Sequence, residues 1–364
     1  MLTFDNRHRT HDSRGNQLGR FFEQPYRTHD GFVLGGKPCR TVDSTGAFLV
    51  GELERLDLTM HEPLAEVSYG RDIDMREDVT IADEVSSFTL STYASAGGLG
   101  AGNSIGNGKA WIGKTSTQIG GVGIDISKIP HQLRPWGLEL KYDLLELESS
   151  ARVGRPVDTQ KYDAIQLKHQ MDIYEQVYYG DTSTGDTGLV NADLVTNVNN
   201  LPNGVSGSPH WSTKTPQEIL SDFNTAITSV WSAAAWAVIP SRILLPTDQF
   251  GYISTQLVSI AGNTSILKYV LENNLLATSG RGKLEIFPAK WCNGAGAGGT
   301  IGDSSSVNRM VVYTKDKKRV RYPMTLLQRT PLQYDGIYQK TTYYCRLGVV
   351  EVVYPETVGY FDGL

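Results

Sequence analysis

Hydrophobic positions along this chain alternate in some stretches, recur every three or four residues in others, and lose all order in a third kind. Residues 1–60 are of the third kind, with little periodicity and many Arg, Asp and His residues. This pattern predicts an extended arm without a core of its own, which must lie on something else, such as a neighbouring subunit. Residues 61–84 are mixed and charged. From residue 85 the stretch SSFTLSTYAS alternates like a strand and then runs into GGLGAGNSIGNGKAWIGKTSTQIGGVGIDIS. Glycine supplies conformational freedom there, and a loop of that length does not fit inside a compact domain. Residues 85–128 therefore read as a hairpin or loop that protrudes.

Order returns at residue 129. Leu138, Leu140 and Tyr142 alternate with Glu139 and Lys141, as in a half-buried strand. Leu144, Leu145, Leu147 and Ala151 predict a short helix ended by Gly154. Pro156 then sits where a second helix begins, with Asp158 in its first turn. Ala164, Leu167, Met171, Tyr174 and Tyr178 make one apolar stripe, so this helix runs from Val157 to Tyr179 and stops at Gly180. At 1.5 Å per residue it spans roughly 34 Å. A turn, TGDTGLVN, follows at 184–191, and a loop rich in Asn, Gly and Ser fills 192–214.

Thr215-Pro216-Gln217-Glu218 is a capping box. Its helix carries Ile219, Leu220, Phe223, Ile227, Val230 and Trp231 on one face, with Pro240 as the stop. RILLPTDQF predicts a short buried strand entering a helix, Ser265–Leu276 another helix, and KLEIFPA a strand. Gly294–Gly302 reads as a flexible excursion. RMVVYT, RVRYPMTLLQ and TTYYCRLGVVEVVYP are strands rich in β-branched and aromatic residues. No internal repeat is visible. The order is that of a mixed α+β chain, not a regular βαβ alternation.

Composition narrows the classes. With 40% hydrophobic and 20% charged residues, the 364-residue chain has enough apolar surface for a packed core. The formal charge, 34 − 39 = −5, argues against extensive direct contact with nucleic acid, though not against a surface that faces it. Cys39, Cys292 and Cys345 are odd in number and widely spaced, without a zinc pattern, so they read as free, buried thiols in a reducing compartment. The N-terminus is polar and lacks a signal-peptide core, and no run approaches the ~18 apolar residues of a membrane helix. The expectation is a soluble protein made in a cytoplasm.

Motifs that carry chemistry are few. Gly108-Lys-Ala-Trp-Ile-Gly113-Lys114-Thr115 fits the phosphate-binding loop G-x-x-x-x-G-K-[ST]. That chemistry needs a buried strand before the loop and a helix after it. Glycine-rich sequence lies on both sides instead, so the match reads as chance. GVSGS at 204–208 lacks the last glycine and the flanking elements of a nucleophile elbow. His8 and His11 have no acidic or Cys partner at ligand spacing, and Asn263-Thr-Ser265 matters only in a secreted chain. The basic run KDKKRVR at 315–321 reads as a solvated turn, with contact to an acidic neighbour or to DNA as the functional alternative. Gly294–Gly302 lacks the frame of a dinucleotide fingerprint. We expect no catalytic residue, no cofactor-binding residue, no metal ligand and no cofactor. The arm, the glycine-rich loop and the 294–302 excursion do not look able to bury themselves, and chains with such segments often bury them against copies of themselves.

The element order resembles the Hong Kong 97-like capsid fold, shared by tailed-phage major capsid proteins and encapsulin shells. Within it the chain is most similar to a phage major capsid family once described only as a domain of uncharacterised function. PWGLELKYDLLELESSARVGRPVDTQKYDAIQLKHQMDIYEQVYYGD carries the resemblance most sharply, together with the link Gly154-Arg155-Pro156-Val157-Asp158 and the turn Gly188-Leu189-Val190-Asn191. The resemblance implies an N-terminal arm at 1–60, a link into the P-domain at 61–84 and an extended E-loop at 85–128. It further implies a P-domain with a spine helix at 129–191, an axial A-domain at 192–310, and C-terminal strands at 311–364 returning to the P-domain. It implies a shell of hexamers and pentamers around phage DNA, with the DNA a partner by proximity only. Scaffold, portal and decoration proteins are implied partners, and a membrane is not. A chain that begins at Met1 leads to the expectation of a separate scaffold protein instead of a cleaved one. Lys109 and Lys114 are the lysines placed for covalent cross-linking, which the sequence does not demonstrate. An encapsulin-type compartment is the alternative within the fold. A nucleotide hydrolase using Lys114 and Thr115 is the alternative of another class.

Overall fold

The computed structural model describes residues 66–95, 122–153, 157–181, 183–259, 262–303 and 306–364, with four short strands nearer the N-terminus. The chain divides into two units, Met1–Leu64 and Ala65–Leu364. In the first, Thr3–Phe4 pairs with Thr10–His11 and Gly31–Leu34 with Lys37–Arg40, both antiparallel. The rest of the expected arm, and the centre of the glycine-rich loop at 96–121, lie outside the described residues.

The second unit is built on a five-stranded sheet. Its spatial order is Glu285–Pro288, Arg242–Leu245, Arg309–Tyr313, Val358–Asp362 and Val198–Asn200. The two outer pairings are parallel and the two inner ones antiparallel. Successive side chains point to opposite faces, and here both faces are covered. Ile243, Leu245, Met310, Val312 and Phe361 pack with the helices Pro216–Ala233 and Ile266–Asn273. Leu244, Val311, Tyr313, Val358 and Tyr360 face the other way, onto Ile173, Tyr174, Val177 and Tyr178 of the long helix. Runs such as RILL and RMVVY are apolar almost throughout because neither face meets water.

The long helix is Val157–Tyr178, 22 residues or about 33 Å. Its buried face differs from the predicted stripe. Ile165, His169, Ile173 and Val177 are buried at four-residue steps, joined by Tyr174 and Tyr178, while Ala164 and Met171 are exposed. The stripe was displaced because a buried histidine was counted as polar and an exposed methionine as apolar. At Ile165 the helix meets Leu140, Tyr142 and Tyr343 on the antiparallel pair Arg134–Asp143 and Tyr338–Leu347. The predicted alternation of Leu138, Leu140 and Tyr142 holds on that pair.

Gly180, at φ +80°, leads the chain out of the helix. The turn that follows doubles back onto it: Leu189 N–H donates to the Val177 carbonyl at 2.9 Å and Val190 N–H to that of Tyr178 at 3.0 Å. Asn191 Oδ1 accepts from Gly188 N–H at 2.8 Å. A Cβ on Gly188 would overlap the Tyr178 carbonyl. The Gly-Leu-Val-Asn motif is thus a cap for the carbonyls that a helix C-terminus leaves unpaired.

Three further expectations are corrected. The capping box at Thr215 is present, but its helix ends at Ala233, not at Pro240. Ala235 and Trp236 there adopt φ of +51° and +62°, and Trp231 Nε1 donates to the Trp236 carbonyl at 2.8 Å. The single helix expected at Ser265–Leu276 is two, Ile266–Asn273 and Leu275–Ser279. Asn274 separates them: its Nδ2 donates to the carbonyls of Val270 and Leu271, and its Oδ1 accepts from Ala277 N–H at 2.9 Å. Gly294–Gly302 is not an excursion. Its backbone is held by Asn308, Val307 and Asp362, and a Cβ at Gly294, Gly296 or Gly299 would overlap neighbouring backbone. Glycine there permits close packing.

The strands after residue 308 divide among three sheets. Arg309–Tyr313 and Val358–Asp362 complete the five-stranded sheet, and Tyr338–Leu347 pairs with Arg134–Asp143. Val320–Pro323 lies between Asp74–Arg76 and Glu351–Val352. Val85–Ser95 and Val122–Gln132 form an antiparallel hairpin of their own.

Candidate functional site

The stretches read as candidates for chemistry do not converge. Gly108–Thr115 and His8 lie outside the described residues, and the side chain of His11 is not described. The described chain resumes after Gly108–Thr115 in a strand, Val122–Gln132. GVSGS is a turn closed by Gly204 N–H to the Ser208 carbonyl at 2.9 Å, and the Ser206 hydroxyl donates to that of Thr213 at 3.1 Å. Glu218, the capping residue, also accepts from Val205 N–H at 2.7 Å and stitches this turn to its helix. Asn263 lies in a tight turn at φ +44°. Of the basic run, Lys315 pairs with Asp74, Arg319 with Asp316 and Arg321 with Glu351, which leaves Lys317 and Lys318 exposed. Among the described residues no group of three or more His, Cys, Asp or Glu side chains is placed to hold a metal ion. Nor is any helix long and apolar enough to cross a membrane.

One pair was missed in the sequence. Cys345 Sγ lies 3.3 Å from His169 Nε2, and the Trp136 ring meets the imidazole edge to face, with centroids 4.8 Å apart. A nucleophilic thiol needs a thiolate beside a charged imidazole. Here burial pushes the thiol up to about 12 and the imidazole below its ordinary range, with Asp172 opposing the second shift. Both groups are neutral, and the pair is packing. Cys292 is a second buried thiol, raised by the same cause. No sequence signal marks the Cys345–His169 pair, because its members are 176 residues apart.

Buried ion pairs instead fix the framework. Arg309 forks onto Asp362 at 2.7 and 2.9 Å and reaches the Val190 carbonyl at 2.9 Å. Asp362 also accepts from Ala297 N–H, so one pair ties the helix cap, the glycine turn and the last strand of the sheet together. Lys214 pairs with Asp222 at 2.6 Å and holds the loop before the capped helix. Asp72 receives Arg71 at 2.7 Å and the Tyr178 hydroxyl.

The hairpin is arranged differently. Near its root Ser86 and Phe88 are buried. Further out, Ile124 and Ile126 are 61% and 67% exposed on one face, opposite Tyr93 and Ser91 across the pair. The root is bound to the body. Arg76 donates to Ser86 Oγ at 2.9 Å, the Ser86 hydroxyl donates to Glu351, and Glu351 pairs with Arg321 at 2.6 Å. Arg346 donates to the Ile81 carbonyl at 2.7 Å and to that of Leu133 at 3.3 Å. A firmly rooted hairpin whose Ile124 and Ile126 are covered by no described residue is suited to contact between chains.

A family model described as major capsid protein matches residues 108–364. The chain belongs to the major capsid protein family. This capsid protein is a structural component of a viral shell, and its place is the virion. Its fold is Hong Kong 97-like. It resembles the capsid of Myoviridae phage XM1 at TM-score 0.65 and 13% identity, over 86% of this chain and 98% of that one. It resembles the capsid of a native GTA particle at 0.53 and 12%, over 88% and 99%. For Mycobacterium phage Adephagia the values are 0.51 and 10%, over 88% and 98%. At such identities these likenesses carry the fold alone. No curated protein sequence matches. The family match begins at Gly108, so the phosphate-loop-like stretch lies inside the matched residues. The encapsulin alternative is not favoured, because the matching family is that of major capsid proteins.

Proposed function

We propose that this capsid protein associates into hexamers and pentamers that close an icosahedral shell around double-stranded phage DNA. The hairpin carries this reading: Ile124 and Ile126 lie on a rooted strand pair and no described part of the same chain covers them. Residues 1–60 serve as an arm lying on neighbours, and 85–128 as an extended loop reaching across an adjacent subunit. Residues 61–84 lead into a P-domain formed by 129–191 and the strands of 311–364. Residues 192–310 make an axial A-domain, whose five-stranded sheet also takes in Arg309–Tyr313 and Val358–Asp362 from the C-terminal strands. Assembly takes place in the host cytoplasm, with scaffold, portal and decoration proteins as further partners. The net charge of −5 suits a shell that encloses DNA without gripping it. Standard interfaces bury about 1,600 Å² in total, and an arm with a long loop can supply several of them per subunit.

Electron microscopy and sedimentation of the purified full chain test the proposal. Closed particles of megadalton mass are expected, and a protein that stays monomeric at high concentration would sink it. No catalysis is proposed. ATP or GTP turnover that disappears in Lys114→Ala would overturn the non-enzymatic reading.

A further inference from the structure

Glu351 lies at the root of the hairpin and is fully buried. It sits on the edge strand Glu351–Val352 of the three-stranded sheet; the middle strand supplies Arg321 and the opposite edge strand Arg76. Arg321 Nε approaches it at 2.6 Å and Arg76 Nη1 at 3.3 Å. Its third donor is the hydroxyl of Ser86, which belongs to the hairpin. Arg76 also reaches the hairpin directly, at Ser86 Oγ and at the Ser87 carbonyl, 3.4 Å away. A buried carboxylate is tolerated only while its lone pairs are satisfied. The hairpin therefore cannot pivot at its root without withdrawing a donor from a charge held in the interior.

Leverage makes this matter. Each strand of the hairpin has 11 residues. At ~3.4 Å per residue the strands extend about 37 Å, and a tilt of about 10° at the root moves the far end by about 6 Å, more than the ~4.8 Å between paired strands. Ile126 and Ile124, six and eight residues out from the root pair Val85–Gln132, move by about 3.5–5 Å at that tilt, enough to take them out of register with a partner.

We propose that Glu351, acting through Ser86 and Arg76, is the positioning residue that holds the hairpin at one angle, so that its exposed isoleucines meet a second copy of the chain in register. This rests on the reading of the hairpin as an assembly arm. The test uses the full chain carrying Ser86→Ala, which removes the hairpin's donor and leaves Glu351 paired with both arginines, so that folding is spared. Hydrogen exchange before assembly is expected to quicken about ten-fold at 85–90 and 127–132 and to stay unchanged at Arg309–Tyr313. Shell yield is expected to fall several-fold. Glu351→Gln is expected to do more of both, and Ser87→Ala, one residue along the same strand, neither. Unchanged exchange at the root in Ser86→Ala overturns the proposal. So does faster exchange with shells formed at the wild-type yield. Wild-type protein that forms no shells removes the assembly reading beneath it, and with it the proposal.

Discussion

The five-stranded sheet and the hairpin are made of similar residues put to opposite uses. Both carry β-branched and aromatic residues: Val, Tyr and Phe in RMVVY and VGYFD of the sheet, and Val, Ile, Thr, Phe and Tyr along the hairpin. In the sheet, Val311 and Val312 face opposite cores and neither is exposed. In the hairpin, Ile124 and Ile126 remain open to solvent. Burial of an apolar side chain contributes about 1.5–3 kcal/mol wherever it occurs. In the sheet that free energy stabilises the subunit. In the hairpin it remains available for a contact with another chain.

Substitutions should separate the two uses, and the largest effect on subunit stability belongs to the sheet. Val311→Asp places an unpaired carboxylate in a core and should cost more than about 4 kcal/mol. Loss of the cooperative thermal transition would show it, and a variant that still unfolds cooperatively near the wild-type temperature would contradict two-sided burial. Gly188→Ala comes next. It drives a methyl group into the Tyr178 carbonyl and should cost about 3 kcal/mol. A melting temperature lowered by several degrees is expected, and unchanged melting would show that the helix cap can relax.

A smaller effect follows from His169. Burial holds its imidazole below the ordinary 6.5. As pH falls through 6.5 the unfolded chain takes up a proton that the folded chain resists, so stability declines from there toward the folded value and is untouched above. Melting measured across this range should show the decline, and His169→Gln should flatten it. Ile126→Asp comes last, with a change in subunit stability within roughly 0.5 kcal/mol. Its whole effect should fall on shells, counted by microscopy. A large loss of melting temperature in this variant would mean that the hairpin face is covered by its own chain.

Much of the fold was legible where one physical pattern dominated. The alternation at Leu138–Tyr142, the capping box at Thr215 and the apolar run RILL each became the predicted element. The sequence misled where polarity and burial part company. His169 is polar and buried, Met171 is apolar and exposed, and together they displaced the predicted stripe. Asn274 looked like an ordinary helical position, yet its side chain ends one helix and begins the next. Glycine density at 294–302 suggested freedom, whereas the absence of Cβ atoms serves tight packing.

For the candidate site, the sequence marked the hairpin but not its fastening. Ser86, Arg76, Arg321 and Glu351 come from four separate strands, and no local spacing relates them. The Arg309–Asp362 pair was hidden for the same reason.

The order of strands in the sheet also sets the tempo of folding. Val358–Asp362 must find Val198–Asn200 and Arg309–Tyr313, and Arg242–Leu245 must pair with segments made much later. Pairings so distant along the chain carry a high loop-closure cost and form slowly. The hairpin can start from a shorter closure, at Ser95 with Val122, and zip from there toward its root ahead of the sheet's longer-range pairings. A newly made chain can therefore present Ile124 and Ile126 before the body that aims them is finished. The slow closure of the sheet, not the hairpin, would then decide when a subunit is ready to join a neighbour.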